Sequence, residues 1–251
     1  ARNDGGGPFD RGEPIWLVGH SLGGYLAARY AMRIHARQEK SSTSMPTADV
    51  PNITKLILAS PVGFRPLPSP RERIASSNLP NSLRLVDALW SANLTPQALV
   101  RLMGPTRGKS AVRRAMRGRI PQLSESELDL LADYLYHITV APASGEYAMN
   151  SLMEPAFAKD DGTAGVYARE ALGRGNMAEM ISRQSSSSLR SIKVLYGDKD
   201  WMQTHAPAAR REMQSIELKC GIRSVVHTIP HAGHHLYIDN APAFGRHILE
   251  D

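Results

Sequence analysis

Ile15-Trp16-Leu17-Val18-Gly19-His20-Ser21-Leu22-Gly23-Gly24 decides how the rest of the chain is read. A run of β-forming residues stops at Gly-His-Ser-Leu-Gly. Leu22, Leu26, Ala27, Tyr30, Ala31 and Ile34 then recur at helical spacing to about Ala36. In a strand–turn–helix context, Gly-x-Ser-x-Gly is the pattern of a nucleophile elbow. The turn brings strand and helix together, so Gly19 and Gly23 are expected where no side chain fits. Ser21 is expected in a strained conformation that thrusts its hydroxyl outward. The N–H of Leu22, at the start of the helix, points where an oxyanion would form. The alternative is a Gly-rich turn in some other α/β protein, and the flanking pattern favours the elbow.

Outward from this turn, residues 1–14 are polar and Gly-rich and read as a flexible lead-in, without an initiator Met or a signal-like apolar core. Gln38 to Asn52 is Ser/Thr-rich and broken by Pro, the composition of a surface loop. Leu56-Ile57-Leu58-Ala59 is a short buried strand ending in Ser60-Pro61-Val62-Gly63-Phe64. From Arg65 to Leu189 no parallel-strand run stands out. Helical patterns occur instead around Leu83–Ala92, Pro96–Met103, Ser110–Arg117, Glu125–Ile138 and Gly145–Met153, and Ser185 to Ser188 reads as a linker. Strands return at Ile192–Tyr196 and Ser224–Ile229, with a helix near Pro207–Leu218 between them and a last helix from Leu236 to Leu249. The fold class is α/β, a parallel sheet with helices on both faces and an inserted helical cap. The expected division is core at 1–64, cap at 65–189 and core again at 190–251.

The chain has 251 residues, 42% of them hydrophobic, enough for a substantial core. No apolar stretch approaches the ~20 residues that span a bilayer. A single cysteine, Cys220, excludes an intrachain disulfide and allows a reducing compartment. The net charge of +6 is concentrated at 101–119, where Arg101, Arg107, Lys109, Arg113, Arg114, Arg117 and Arg119 occur without an acidic residue. That run is either a solvated helix face or a surface for anionic headgroups, with Arg113, Arg114 and Arg117 as contacts and Leu102, Met103, Val112 and Met116 dipping toward acyl chains. No aromatic residues are interleaved with these arginines, which argues against nucleic acid.

A serine nucleophile needs a base, and the base needs a carboxylate to orient it. His20 is too constrained by the turn to reach its neighbour's hydroxyl and is expected to line the site. His35, His137, His205 and His247 have nothing to mark them. His231, His234 and His235 follow the last strand, at the sheet edge where α/β proteins place functional groups, and His234 after Gly233 is the candidate base. The cluster lacks the carboxylate or cysteine set of a metal site. After strand Ile192–Tyr196, Gly197 lets the chain turn, leaving Asp198 and Asp200. Asp200 has the longer reach and is the candidate acid, while Asp198 suits a loop hydrogen bond. The order Ser21, Asp200, His234 is the Ser…Asp…His order of α/β-hydrolases.

The chain resembles the α/β-hydrolase superfamily, and within it the branch of α/β-hydrolase domain-containing proteins 4 and 5, whose fungal members include cardiolipin-specific deacylase. The resemblance rests on Gly19-His-Ser-Leu-Gly-Gly-Tyr-Leu-Ala-Ala-Arg-Tyr30, Ser60-Pro-Val-Gly-Phe64, Asp133-Tyr-Leu-Tyr-His-Ile138 and Ser144-Gly-Glu-Tyr147. It continues in Tyr196-Gly-Asp-Lys-Asp-Trp-Met202 and Gly233-His-His-Leu-Tyr-Ile-Asp239. It implies Ser21, Asp200 and His234 as a triad, and a His-x4-Asp pattern at His234 and Asp239 that the family associates with acyl transfer. It also implies a serine acyl hydrolase of phospholipase or lysophospholipase type, possessing or lacking lysophospholipid acyltransferase activity, with no cofactor and no metal. The substrate would be a glycerophospholipid or lysophospholipid, and the location intracellular and peripheral to a membrane or lipid droplet. Two alternatives are a non-catalytic lipid-binding or lipase-regulating protein and a small soluble carboxylesterase. The resemblance covers only the C-terminal part of a family member, so the N-terminal strands of the sheet, with the second oxyanion donor, are expected to be missing from this chain.

Overall fold

The computed structural model describes residues 13–40, 51–142, 145–159, 164–183 and 188–250. The expected lead-in, the loop from Gln38 to Asn52 and the linker Ser185–Ser188 fall wholly or largely outside these residues. In chain order the elements are β1 (Pro14–His20), α1 (Leu22–Lys40), β2 (Asn52–Ala59), α2 (Asn81–Ser91), α3 (Pro96–Arg119), α4 (Glu125–Val140), α5 (Ala148–Leu152), β3 (Met153–Phe157) and β4 (Ala164–Ala168). There follow α6 (Asn176–Ser182), β5 (Ser191–Gly197), α7 (Ala206–Cys220), β6 (Arg223–Ile229), α8 (Leu236–Asp239) and α9 (Ala241–Leu249).

Four strands form one sheet in the order β1-β2-β5-β6, all parallel, with Leu17 opposite Leu56, Leu58 opposite Val194 and Val194 opposite Val226. Parallel strands are covered on both faces, which is why β2 and β5 read as unbroken apolar runs rather than alternating ones. Leu56 to Ala59 are fully buried, as are Val194 to Tyr196. On one face Ile57, Ala59, Leu195 and Ile229 pack with Leu236 and Ala243, against which Phe244 and Ile248 also lie. Two buried lysines on that face, Lys55 and Lys193, complete the contact. Lys55 Nζ donates to the carbonyls of Ile248 (3.4 Å) and Glu250 (3.3 Å), and Lys193 Nζ to those of His247 (3.0 Å) and Glu250. The end of α9 presents unpaired carbonyls and the negative pole of its dipole, which makes it a partner for buried ammonium groups.

The chain divides into two compact units, one of residues 1–67 with 166–251 and the other of residues 68–165. Residues 166–189, expected in the cap, therefore belong with the sheet. Tyr167, Ala168, Leu172 and Met177 are buried there. The buried Glu212 carboxylate of α7 accepts the N–H groups of Gly175 (2.6 Å) and Ala178 (2.8 Å), fixing the start of α6. The sequence shows neither α6 nor the two-stranded sheet of β3 and β4, because each is too short to display a period.

In the second unit, the two helical patterns expected at Pro96–Met103 and Ser110–Arg117 are joined as α3, bent at Gly104 (φ +72°) before Pro105. Proline has no N–H to donate to the preceding turn, so the helix breaks its ladder there. Ser124 and Glu127 form a reciprocal capping box that starts α4. In the first unit, the last helix of the sequence reading is split at Asn240, whose side chain accepts the Ala243 N–H at 3.2 Å to start α9. Among the described residues no helix is long and apolar enough to cross a membrane.

Candidate active site

Ser21 stands between β1 and α1 with φ +55°, a left-handed conformation that costs a non-glycine residue about 1–3 kcal/mol and persists only where its surroundings fix it. Here they do. The Ser21 N–H donates to the Ala59 carbonyl at 2.9 Å, while its own carbonyl accepts from Gly24 (3.0 Å) and Tyr25 (3.2 Å) as the helix begins. A Cβ on Gly19 would lie 2.4 Å from the Gly23 carbonyl oxygen, so glycine is required there. At Gly23 the expectation fails: a Cβ there would meet nothing within 4 Å. The second tight position is Gly24, where a Cβ would be 3.1 Å from both the Gly19 oxygen and Pro61 Cβ. Helix and strand cross over the residue after the one the motif suggests. Leu22 opens α1, where N–H groups have no intrahelical carbonyl to meet.

His234 follows β6 and Asp200 follows β5, and the structure brings both to Ser21. His234 Nε2 is 3.0 Å from Ser21 Oγ, and His234 Nδ1 is 3.1 Å from Asp200 Oδ1. The Asp200 side chain is completely buried and the imidazole 18% exposed. Asp200 Oδ1 also accepts the Met202 N–H at 2.9 Å, at the start of the turn Trp201–His205. Burial opposes the charge on Asp200, but hydrogen bonds from His234 and the Met202 N–H, with the Ser60 hydroxyl nearby, outweigh it and hold the carboxyl below its ordinary range. Ser60 is buried at φ +46°, and neither its Oγ nor Asp200 Oδ2 has a hydrogen bond of standard geometry among the described residues. The hydroxyl therefore acts on the carboxylate through proximity rather than an ideal bond. An imidazole held between a hydroxyl and a carboxylate can accept the hydroxyl proton and return it to a leaving group.

The two aspartates of Gly197-Asp-Lys-Asp have separate positions. Asp198 faces the loop after β6, where N–H groups of His231 and Ala232 hold its carboxyl below the ordinary range, and Ala232 N–H reaches its Oδ1 at 3.0 Å. Asp239 lies at the end of α8, and its Oδ2 accepts the Gly233 N–H at 2.8 Å.

Two histidines do more than the sequence indicates. His20 Nε2 donates to the His234 carbonyl at 2.8 Å, and its ring lies 4.8 Å from that of His234. Burial lowers its pKa, against the contrary effect of that backbone bond. His205 is buried, and its Nδ1 accepts the Arg65 N–H at 3.1 Å. Burial and the nearby Arg65 charge push it down to about 4. Its position one turn after Asp200 is the only signal the sequence offers. Trp201, 56% exposed, lies over His234 with ring centres 5.2 Å apart.

The basic run lies on α3. Arg113 is paired with Glu125 and Asp129, Arg117 with Glu125, Lys109 with Asp133 and Arg101 with Glu146. Arg107, Arg114 and Arg119 are exposed and have no ion pair among the described residues. Residues 68–165 carry eleven Lys/Arg against ten Asp/Glu, a net charge of +1. Val112 is buried, while Leu102 and Met103 are exposed.

The model of the alpha/beta hydrolase family matches residues 2–245. A rice protein named "Probable 1-acylglycerol-3-phosphate O-acyltransferase" (Oryza sativa subsp. japonica) is 32% identical over 242 residues, covering 91% of this chain and 47% of the rice protein. The 1-acylglycerol-3-phosphate O-acyltransferase of Arabidopsis thaliana is 30% identical over 246 residues, covering 93% and 48%. The human 1-acylglycerol-3-phosphate O-acyltransferase ABHD5 is 26% identical over 237 residues, covering 93% and 56%. The chain spans about half the length of the plant relatives it matches. With a parallel α/β sheet and a family match over nearly its whole length, the chain belongs to the alpha/beta hydrolase family, where its relatives include the plant acyltransferases and the ABHD5 proteins.

Proposed function

We propose that this protein is a serine acyl hydrolase that also transfers acyl groups, acting on acyl esters of glycerophospholipids and lysophospholipids. The observation that carries the reading is the continuous Ser21–His234–Asp200 hydrogen-bond chain. His234 takes the Ser21 proton as Oγ attacks the ester carbonyl, and Asp200 holds the imidazole in the tautomer that leaves Nε2 free to accept it. The Leu22 N–H stabilises the oxyanion. His234 then protonates the leaving lysolipid oxygen. The acyl-enzyme is resolved by water, releasing fatty acid, or by a lysophospholipid hydroxyl, giving a diacyl product. The names of the plant and animal relatives support a lipid acyl substrate and the transfer branch. We place the membrane contact on α3, where Leu102 and Met103 are exposed and Arg107 and Arg114 supply positive charge.

The test is labelling of the complete protein by a fluorophosphonate probe. Ser21→Ala abolishes labelling and His234→Ala lowers it strongly. Equal labelling of wild type and Ser21→Ala removes the serine hydrolase reading, and leaves a lipid-binding protein on the same fold.

A further inference from the structure

The segment Pro230–His235 carries the base of the proposed reaction and has no regular structure of its own. Its backbone is held by side chains and loop groups from three other segments. Asn240 Nδ2 donates to the Pro230 carbonyl (2.8 Å), Asp198 Oδ1 accepts from Ala232 (3.0 Å) and the Lys199 N–H donates to the Ala232 carbonyl (3.0 Å). His20 Nε2 donates to the His234 carbonyl (2.8 Å), and Asp239 Oδ2 accepts the Gly233 N–H (2.8 Å). The segment also rests on the end of β5: a Cβ on Gly197 would lie 2.1 Å from the Ala232 oxygen and 2.5 Å from that of Gly233.

We propose that Asp239 is a positioning residue for His234, holding the Gly233–His234 peptide through the Gly233 N–H rather than meeting the acyl acceptor. The inference rests on the reading of His234 as the base. The spacing supports it. α8 is a single turn, in which the Ile238 and Asp239 N–H groups both donate to the His235 carbonyl. One turn after the histidine pair returns the fifth residue beyond His234 to the amide just before it. The His-x4-Asp spacing is therefore the spacing at which a one-turn helix folds a side-chain oxygen back onto the peptide carrying the imidazole. Gly233 admits this approach, since a Cβ there would already stand 3.2 Å from Asp239 Oδ2. The tie needs an oxygen acceptor and not a negative charge, so asparagine preserves it and alanine does not.

Asp239→Ala and Asp239→Asn in the complete protein separate the two roles through three measurements: amide hydrogen exchange at Gly233, the rate of fluorophosphonate labelling, and the partition of one labelled donor between fatty acid and acylated lysophospholipid. In Asp239→Ala, Gly233 exchange accelerates and labelling slows by up to about 100-fold, the scale expected when a catalytic group shifts by about 1 Å. The partition stays as in wild type. Asp239→Asn restores both exchange and labelling to within a few-fold of wild type. Unchanged exchange and labelling in Asp239→Ala overturn the proposal. So does an Asp239→Asn variant that labels normally but loses transfer, which would put the carboxylate at the acceptor. If the wild type fails to label at all, the enzymatic reading falls, and Gly233 exchange still decides the tie.

Discussion

Asp200 in the sheet unit and Arg113 in the helical unit are both charged side chains held by hydrogen bonds, and their settings are opposite. Asp200 is wholly buried, and its hydrogen-bonded oxygen takes one imidazole and one backbone N–H. Arg113 is 39% exposed, and its partners Glu125 and Asp129 are more exposed still. A carboxylate out of water is tolerable only where donors replace its hydration, and removing one donor exposes the full desolvation cost. An exposed ion pair exchanges one set of solvated contacts for another and is worth little. The sheet unit therefore concentrates sensitivity in a few residues, whereas α3 and α4 spread their charges over contacts that can be lost singly.

The largest effect that contrast predicts is at Asp200. Asp200→Asn keeps the shape of the side chain but removes the charge that orients and stabilises the imidazole. Turnover and fluorophosphonate labelling fall together by about 10⁴. The paired measurement is Asp198→Asn, whose side chain bonds the loop amides of His231 and Ala232 rather than the imidazole, and which lowers activity far less. Full activity in Asp200→Asn with loss in Asp198→Asn would reverse the assignment of the two aspartates and break the comparison at its buried end.

A smaller effect comes from His205, another buried titratable group near the site. Its folded pKa is about 4, below the ordinary 6.5, so between those values the unfolded chain binds a proton that the folded chain excludes. Stability is therefore fully present above pH 6.5 and is lost as pH falls toward 4, by about 3 kcal/mol at most. Urea unfolding at pH 7.5 and 4.5 measures it. His205→Gln, which keeps an acceptor for the Arg65 N–H, loses less stability over that interval than wild type. Equal losses in the two proteins would show that the acid sensitivity lies elsewhere.

The contrast also marks what the sequence could tell. The strand–turn–helix around Ser21, the four parallel strands and the placing of Asp200 and His234 after β5 and β6 are legible because each depends on local pattern: an apolar run, a turn residue, then a polar group. The ion pairs of α3 are not, because their acids sit on the following helix or, for Glu146, beyond it, so a run of seven cations looks isolated when read linearly. His205 is unremarkable as a letter, since its contact is with an amide 140 residues away, and His20, expected to line the site, bonds a carbonyl 214 residues away that the sequence does not indicate. Gly23 fits the motif and is not the tight position; the contact falls on Gly24, because the crossing of helix and strand is a property of three-dimensional packing. The Asp239 carboxylate lies at the end of a one-turn helix instead of the beginning of a long one, because Asn240 caps a new helix immediately after it.

The smallest expected effect belongs to the exposed end of the comparison. Arg113 and Arg117 already face Glu125 and Asp129, so replacing the two arginines and Glu125 by Gln and Asp129 by Asn removes the ion pairs and leaves the local net charge unchanged. Binding to vesicles containing acidic phospholipid should then stay close to wild type at low salt. Arg114, exposed and with no ion pair among the described residues, contributes a modest share of the attraction, and Arg114→Gln lowers binding at low salt only. Raised salt removes the difference, because the Debye length shrinks to about 3 Å at 1 M. The apolar component behaves differently. Leu102→Ser with Met103→Ser weakens binding to neutral and acidic vesicles alike, since the loss is of buried hydrocarbon contact and not of charge. Sedimentation with both vesicle types at two salt concentrations separates these cases. If this charge-balanced replacement alone erases the preference for acidic lipid, the ion pairs of Arg113 and Arg117 with α4 open at the membrane. The exposed arginines would then act as a lipid surface rather than as a link between helices.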